Sequence, residues 1–384
     1  MGVGMETIRN KLELLCGGLI EAFNGSPMDI PCIETADGEA LCKHPVVSIH
    51  MMAYNHEQFL RRAIEGVVMQ KTNFEFELVI GEDCSQDRTR EICFEYQKKY
   101  PNKIRVLWWH DNVTKYGGNC LRVTAHCRGE FIAFCEGDDC WTDPLKLQRQ
   151  VDVMRKYPNV SICFGGVDYC QTSTGRISRF KLKNNDITGV VSGNAFLQHQ
   201  LFNESIKGKT INLQNLQTSG VLIRAQLWRD MCERHEISKW KLLVGDKIFC
   251  ILMAIKGDVF LMDSAVSQYN INPGGVTSRR FGEVMRDDLV IRLYFCVKAL
   301  GMSFEDAIRS QEKSVVRNCV YNAAPLSRRA QRAYARDVIC GDVLLHEFFT
   351  RPYSLPLYWL IRFGLMRPGM TRSLTRIYWH LPRF

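Results

Sequence analysis

Residues 129–151 read GEFIAFCEGDDCWTDPLKLQRQV. Phe131–Cys135 is a short, wholly apolar run with the length of a buried strand. It empties directly into Glu136, Gly137, Asp138 and Asp139. Three carboxylates within four residues repel one another unless a cation or a proton intervenes. They emerge from a core edge rather than a solvated helix face, so the cluster suits a hard divalent ion, Mn2+ or Mg2+. The plainer alternative is an acidic turn. Asp143-Pro144 then opens a helix running to Tyr157, with Asp as N-cap and proline at the first helical position.

Working outward, the same alternation repeats. Val46–Met52, Glu77–Gly81, Ile104–Trp109 and Val160–Gly165 read as further buried strands. Phe59, Leu60, Ala63, Ile64, Val67 and Val68 recur with helical period, and a second helix runs through Tyr100. Strands alternating with helices imply an α/β fold with a mostly parallel sheet flanked by helices on both faces. Further on, Gln217–Arg224 and Asp258–Asp263 read as strands, Lys247–Lys256 as a helix, and the region after about residue 281 as helical. Three regions are expected: an N-terminal extension over 1–44, a central domain over 45–280 and a helical C-terminal region over 281–384. Ile8, Leu12, Leu15 and Ile20 give the extension a short amphipathic helix.

In an open parallel sheet, ligands bind at the carboxyl ends of the strands. Three polar clusters fall there: Tyr54-Asn55-His56, Glu82-Asp83 and Glu136-Gly137-Asp138-Asp139. Asn55 and Ser85 have the alternative of simply capping helices. Neither G-x-x-x-x-G-K-[ST] nor G-x-G-x-x-G occurs, so a phosphate ligand would lack the usual glycine cradle. A metal held by carboxylates would neutralise a diphosphate instead. Gly117-Gly118-Asn119 reads as a plain turn.

Composition narrows the class. The 384 residues are 46% hydrophobic and 24% charged, which supports a sizeable core and excludes wholesale disorder. The net charge of +9 suits an anionic ligand such as a nucleotide diphosphate, or an anionic membrane surface. The basic residues are scattered, without a nucleic-acid-binding motif, so no nucleic-acid partner is expected. None of the 16 cysteines pairs as C-x-x-C, which argues against structural zinc. Several, such as Cys135 and Cys163, sit inside apolar runs as small hydrophobes. With no signal-peptide pattern and no run of about 18 uncharged apolar residues, a cytoplasmic location is expected.

The stretches VVSIHMMAYNHEQFLRRAIEGVVMQ, FELVIGEDCSQDRTREI and GEFIAFCEGDDCWTDPLKLQRQV, in this order over residues 45–160, together resemble the N-terminal half of a family 2 inverting glycosyltransferase with the Rossmann-like GT-A fold. The resemblance continues through TSGVLIR (218–224), VGDKIF (244–249) and YNINPGGVTS (269–278). The bacterial members it most resembles build capsule, O-antigen or other envelope polysaccharides. The resemblance implies a nucleotide-sugar donor, a UDP-sugar first, and a glycan or lipid-linked acceptor. It places Ala53, Tyr54 and Asn55 in the nucleotide loop and Asp83, with Glu82 beside it, at the base or ribose. Asp138 then binds metal and sugar diphosphate, with Glu136 in the first acidic place and Asp139 alongside, and Asp246 aligns with the catalytic base. Helix capping is the other role open to Asp246. Members often read Tyr-Arg-x-His where this chain has Tyr269-Asn270-Ile271-Asn272. Asn272 offers an oxygen in place of the imidazole, and a non-catalytic nucleotide-sugar-binding relative is therefore the alternative reading. A sugar-1-phosphate nucleotidyltransferase is disfavoured because the Gly-rich opening strand and loop are missing.

From Phe348 to Phe384 there are six arginines, interleaved aromatics and no acidic residue. That pattern suits peripheral contact of residues 345–384 with the cytoplasmic face of the inner membrane, or a packed helical tail with solvated arginines.

Overall fold

The computed structural model describes residues 32–110, 112, 118–202, 205–212, 215–233, 245–272, 281–303, 306–307, 309–311 and 331–332. The expected extension helix over 8–20 and the basic tail over 345–384 lie outside the described residues. A short strand β1 (Ile33–Thr35) precedes the alternating units β2 (Val47–Ala53), α1 (Leu60–Val68), β3 (Phe76–Glu82), α2 (Thr89–Lys99), β4 (Ile104–Trp108), α3 (Gly118–Ala125) and β5 (Phe131–Phe134). Beyond these come β6 (Cys140–Trp141), α4 (Lys146–Lys156), β7 (Val160–Gln171), β8 (Arg176–Ser178), β9 (Gly189–Val191) and α5 (Gly193–Phe202). A 3-10 turn (Thr218–Gly220) leads into β10 (Val221–Arg224), followed by α6 (Ala225–Glu233), α7 (Gly245–Lys256), β11 (Asp258–Ile271) and α8 (Phe281–Lys298).

The strands form one mixed, mostly parallel central sheet in the order β1-β4-β3-β2-β5-β10-β7-β11-β6, with β8 on β7 and β9 on β11. The run β4-β3-β2-β5 is parallel, as is the long β7–β11 pair, whereas β10 runs antiparallel to both β5 and β7. Every residue of β3 and β5 is buried, as expected for strands covered on both faces.

Alternate residues feed two cores. Ile49, Leu78, Val106 and Ala133 pack under α1, α2 and α4. Val79, Leu107, Ile132 and Phe134 pack on the opposite side with residues of α5, α6, α7 and α8. In α1, Leu60, Ala63, Ile64 and Val67 are buried while Arg61, Arg62 and Glu65 are exposed, so a 3.6-residue period sets the buried face. Each such aliphatic side chain contributes about 1.5–3 kcal/mol on full burial. Gly66 lets α1 lie against β6: a Cβ there would stand 2.8 Å from the Trp141 carbonyl.

One polar knot lies inside. Glu77 of β3 accepts from Arg128 Nη2 at 2.5 Å, from Arg105 Nη1 at 3.2 Å and from the Ser48 hydroxyl at 2.6 Å. Arg105 also reaches back to Glu34 of β1 through Nε at 2.7 Å and Nη2 at 3.1 Å.

Three features depart from the sequence expectation. Gly118 and Asn119 open α3 rather than forming a plain turn. The helix expected from Pro144 begins at Lys146; Asp143 caps the preceding turn, its Oδ1 accepting the Leu145 amide at 2.9 Å. Strands expected to end at Gly165 and Asp263 continue to Gln171 and Ile271. Their polar second halves hide the strand period, and β11 breaks register around Ala265 and Ser267, as β-bulges do.

Candidate active site

The carboxyl ends of β2, β3 and β5 are neighbours in the parallel run, so the three polar clusters meet at one edge of the sheet. The first two interlock. The Asp83 amide donates to Ala53 O at 3.0 Å, the Asn55 amide to Ser85 Oγ at 3.0 Å, and the Gln86 amide to Asn55 Oδ1 at 2.8 Å. Asn55 and Cys84 occupy the left-handed region at φ 53° and 58°. Asparagine adopts that conformation more readily than most residues. Asn55 and Ser85 thus clip one loop to the other instead of capping helices. Asp87 adds a further link between the loops, taking the Thr89 amide at 2.9 Å and the Glu57 amide at 3.1 Å.

Glu82, expected beside the donor, is engaged internally. It is fully buried, receives the Ser85 amide at 2.7 Å and pairs with Arg90 Nε at 2.5 Å. Arg90 passes on to Trp109 O at 2.7 Å. Asp83, equally buried, sits at the strand end, where Trp109 Nε1–H donates to its Oδ1 at 2.7 Å. Tyr54 is 43% exposed at the rim.

The acidic loop is pinned from both sides. The Gly137 amide donates to Met52 O at 3.0 Å, and the Glu136 amide to Ser219 Oγ at 3.2 Å. Asp139 is only 2% exposed, and its two oxygens accept the Ser219 hydroxyl at 2.5 Å and the Asn270 amide at 2.9 Å. Asp139, expected among the metal ligands, anchors the loop through these two bonds. Asp138 is half-buried; Asn272 Nδ2 donates to its Oδ2 at 2.9 Å and Asn270 Nδ2 to its backbone carbonyl at 2.5 Å. The two asparagines of the YNIN string therefore hold the acidic loop as hydrogen-bond donors.

Asp246 lies in the first turn of α7. Its side chain is open to solvent, yet protein crowds around it and desolvation raises its pKa above the ordinary value. Lys247, next to it, turns to an ion pair with Asp288. Glu136 is pushed well above the usual carboxylate range by burial and then by the charges of Asp138, Asp139 and Asp246. Four carboxylates thus act on one another in this crevice, an arrangement that favours a cation or retained protons.

Among the described residues, no group of three His, Cys, Asp or Glu is arranged to hold a metal ion. The donor set still fits Mg2+ or Mn2+ of the kind held by one or two carboxylates, with substrate phosphates and water completing the shell. Asp138 and Glu136, both half-buried, are the residues of the loop that could hold one.

Sequence reasoning missed Ser219, Trp109 and Arg90. Ser219 lay in the quoted TSG string, but spacing alone does not reveal that it reaches Asp139, 80 residues away in the chain. Among the described residues no helix is long and apolar enough to cross a membrane.

Comparisons agree with this geometry. Residues 48–221 match the family model "Glycosyl transferase family 2". An uncharacterized protein of Mycobacterium bovis is 37% identical over 134 residues, covering 35% of this chain and 38% of that protein. The Escherichia coli UDP-Glc:alpha-D-GlcNAc-diphosphoundecaprenol beta-1,3-glucosyltransferase WfgD is 34% identical over 125 residues, 32% of this chain and 46% of that protein. Each of these matches spans less than half the length of the relative. The crystal structure of S. aureus TarS 1–349 in complex with UDP superposes with a TM-score of 0.53 at 16% identity, covering 86% of this chain and 90% of that one. The sequence match from β2 to the start of β10, the shared fold and the acidic loop at the carboxyl end of β5 agree: residues 48–221 match family 2 glycosyltransferases, on a sheet with the GT-A fold.

Proposed function

We propose that the protein transfers a sugar from a nucleoside-diphosphate donor, with UDP the first candidate, to a hydroxyl of a polysaccharide or lipid-linked glycan, with inversion. The observation that carries this reading is that Glu136, beside the interlocked loops of β2 and β3, feels the charges of both Asp138 and Asp246. UDP comes first because the similar E. coli enzyme is named for a UDP-glucose donor.

In this mechanism Asp83 and the loop around Tyr54 hold the nucleoside, and Asp138 faces the diphosphate. Asp246 takes the proton of the acceptor hydroxyl as its oxygen bonds to the anomeric carbon. The bond from that carbon to the diphosphate oxygen breaks on the opposite face. Such general-base assistance is worth roughly 10²–10⁴-fold. A divalent ion on Asp138 and Glu136 would supply positive charge against the leaving diphosphate. The reading assigns catalysis to 45–280 and peripheral attachment at the cytoplasmic membrane face to 345–384.

The alternative, a nucleotide-sugar-binding relative without catalysis, draws on Asn272 standing where members often carry histidine. Thermal unfolding with UDP, GDP and dTDP, each with Mn2+ or EDTA, tests the donor site. Ligand at about 100 times its dissociation constant adds about 2.7 kcal/mol, a rise of several degrees in Tm. A Mn2+-dependent rise with one nucleotide, lost in Asp138→Ala, is expected. No rise with any of them refutes the donor assignment, and a rise without sugar transfer to any acceptor favours the non-catalytic alternative.

A further inference from the structure

The order of strands along the sheet edge lays out the reaction in space. Asp83 and Trp109 stand at the ends of β3 and β4, the acidic loop leaves β5, and β10, β7 and β11 follow beyond it. A donor with its nucleoside at Asp83 and its diphosphate at Asp138 runs along this line. The attacking group then falls over the carboxyl ends of β7 and β11.

Two tyrosines occupy that place. Tyr169 of β7 pairs in register with Tyr269 of β11, and their rings meet edge-on with centroids 5.8 Å apart at 66°. Both are half-buried rather than sealed in a core. Gln217 Nε2 donates to the Tyr169 hydroxyl at 2.9 Å. Gln217 immediately precedes the turn whose Ser219 holds Asp139. The Tyr269 phenol is pushed up to about 12 by burial and then by the charges of Asp139, Asp138 and Asp246, and its chain neighbour Asn270 bonds both Asp139 and Asp138.

The mechanism derived above uses neither ring. Two partly open aromatic rings with an amide beside them match a pyranose, whose C–H face packs on a ring while its hydroxyls bond to polar neighbours. We propose that Tyr169, Tyr269 and Gln217 form an acceptor subsite for a pyranose ring, which presents one of its hydroxyls to Asp246. The proposal rests on the glycosyltransferase reading and adds the residues that hold the acceptor's terminal sugar.

Saturation-transfer NMR on the full chain with UDP and Mn2+ tests it. The probes are methyl β-D-glucopyranoside, methyl β-D-galactopyranoside and the methyl glycoside of N-acetyl-β-D-glucosamine. Saturation of the ring protons of at least one glycoside is expected, falling about fivefold in Tyr169→Leu while the UDP-induced rise in Tm is kept. Gln217→Ala, which retains both rings, serves as a second variant should Tyr169→Leu fail to fold, and it too should lower the saturation. No saturation in a protein that still responds to UDP overturns the subsite, as does saturation unchanged in both variants. Displacement of the bound glycoside when UDP-glucose replaces UDP moves the tyrosines to the donor sugar and overturns the acceptor assignment. Absence of any nucleotide response refutes the donor reading and takes this proposal with it.

Discussion

Ser219 donates its hydroxyl to Asp139 at 2.5 Å, so a residue just ahead of β10 fixes the loop that leaves β5. The same oxygen accepts the Glu136 amide. Ser219→Ala removes both bonds and leaves a buried carboxylate with one of its two partners missing. We expect a loss of about 1–3 kcal/mol in urea unfolding. Weaker Mn2+-dependent binding of UDP should accompany it, because Asp138 lies between the two pinned residues. Unchanged stability would remove Ser219 from this role.

Asp246→Asn should lower transfer by roughly 10²–10⁴-fold and leave the nucleotide-induced rise in Tm intact. Loss of both activity and nucleotide binding would contradict the assignment of Asp246 as base. In the unaltered protein, the raised pKa of Asp246 sets the sign of the pH profile. Transfer should fall as pH drops through a value above the ordinary 3.8, since only the ionised carboxylate accepts the proton.

Gly137 touches two neighbours at once. A Cβ there would stand 2.7 Å from the Met52 carbonyl oxygen and 2.7 Å from His56 Nδ1. Gly137→Ala must therefore shift the acidic loop against backbone. A cost of about 1–3 kcal/mol is expected from thermal or urea unfolding, together with reduced nucleotide response. A variant as stable and as responsive as the parent would show that the loop has room to move.

Acid should destabilise the protein in two stages. His50 is buried, its Nε2 bonds Cys120 O at 3.1 Å, and desolvation lowers its pKa from 6.5 to about 4. The unfolded chain takes up this proton first, so the contribution of His50 declines as pH falls from 6.5 toward 4, opposed by Glu136, whose raised pKa favours the folded state as acid is added. His50→Gln should flatten that window. Glu77 follows at lower pH. Burial alone would raise its pKa, but the bonds from Arg128 and Ser48 and the charge of Arg105 outweigh burial and hold it below 4.5. Its contribution is complete above 4.5 and is lost as pH falls through the folded value. Glu77→Gln, which weakens the hold on Arg128 and leaves Arg105 to Glu34, should cost about 1–3 kcal/mol at neutral pH. A urea-unfolding series across pH reads both.

The parallel half of the fold was legible because each strand is an uninterrupted apolar run ending in polar residues. Phe131–Phe134 into Glu136 is the clearest case. The second half was less so: β7 and β11 continue through Asp168, Ser267, Gln268 and Asn270, which are buried but polar. Helix α3 escaped because it opens on glycine, the residue least suited to a helix after proline. At the site, the sequence pointed to the residue types and to the strand ends that carry them. It did not separate Asp138, left half-open, from Asp139, taken up by Ser219 and Asn270, nor show that Glu82 would pair with Arg90. Those distinctions depend on partners 80 or more residues away and on an arginine in the first turn of α2.

Strand β1 has a practical consequence. Ile33, Glu34 and Thr35 pair with Trp108, Leu107 and Val106, closing the free side of β4. Glu34 adds a two-pronged grip on Arg105. A truncated protein beginning at residue 45, the boundary that the sequence pattern suggests, would leave Ile104–Trp108 as a bare apolar edge. Such an edge pairs readily with other chains, so the shortened protein should aggregate on expression while one that starts ahead of Cys32 stays dispersed.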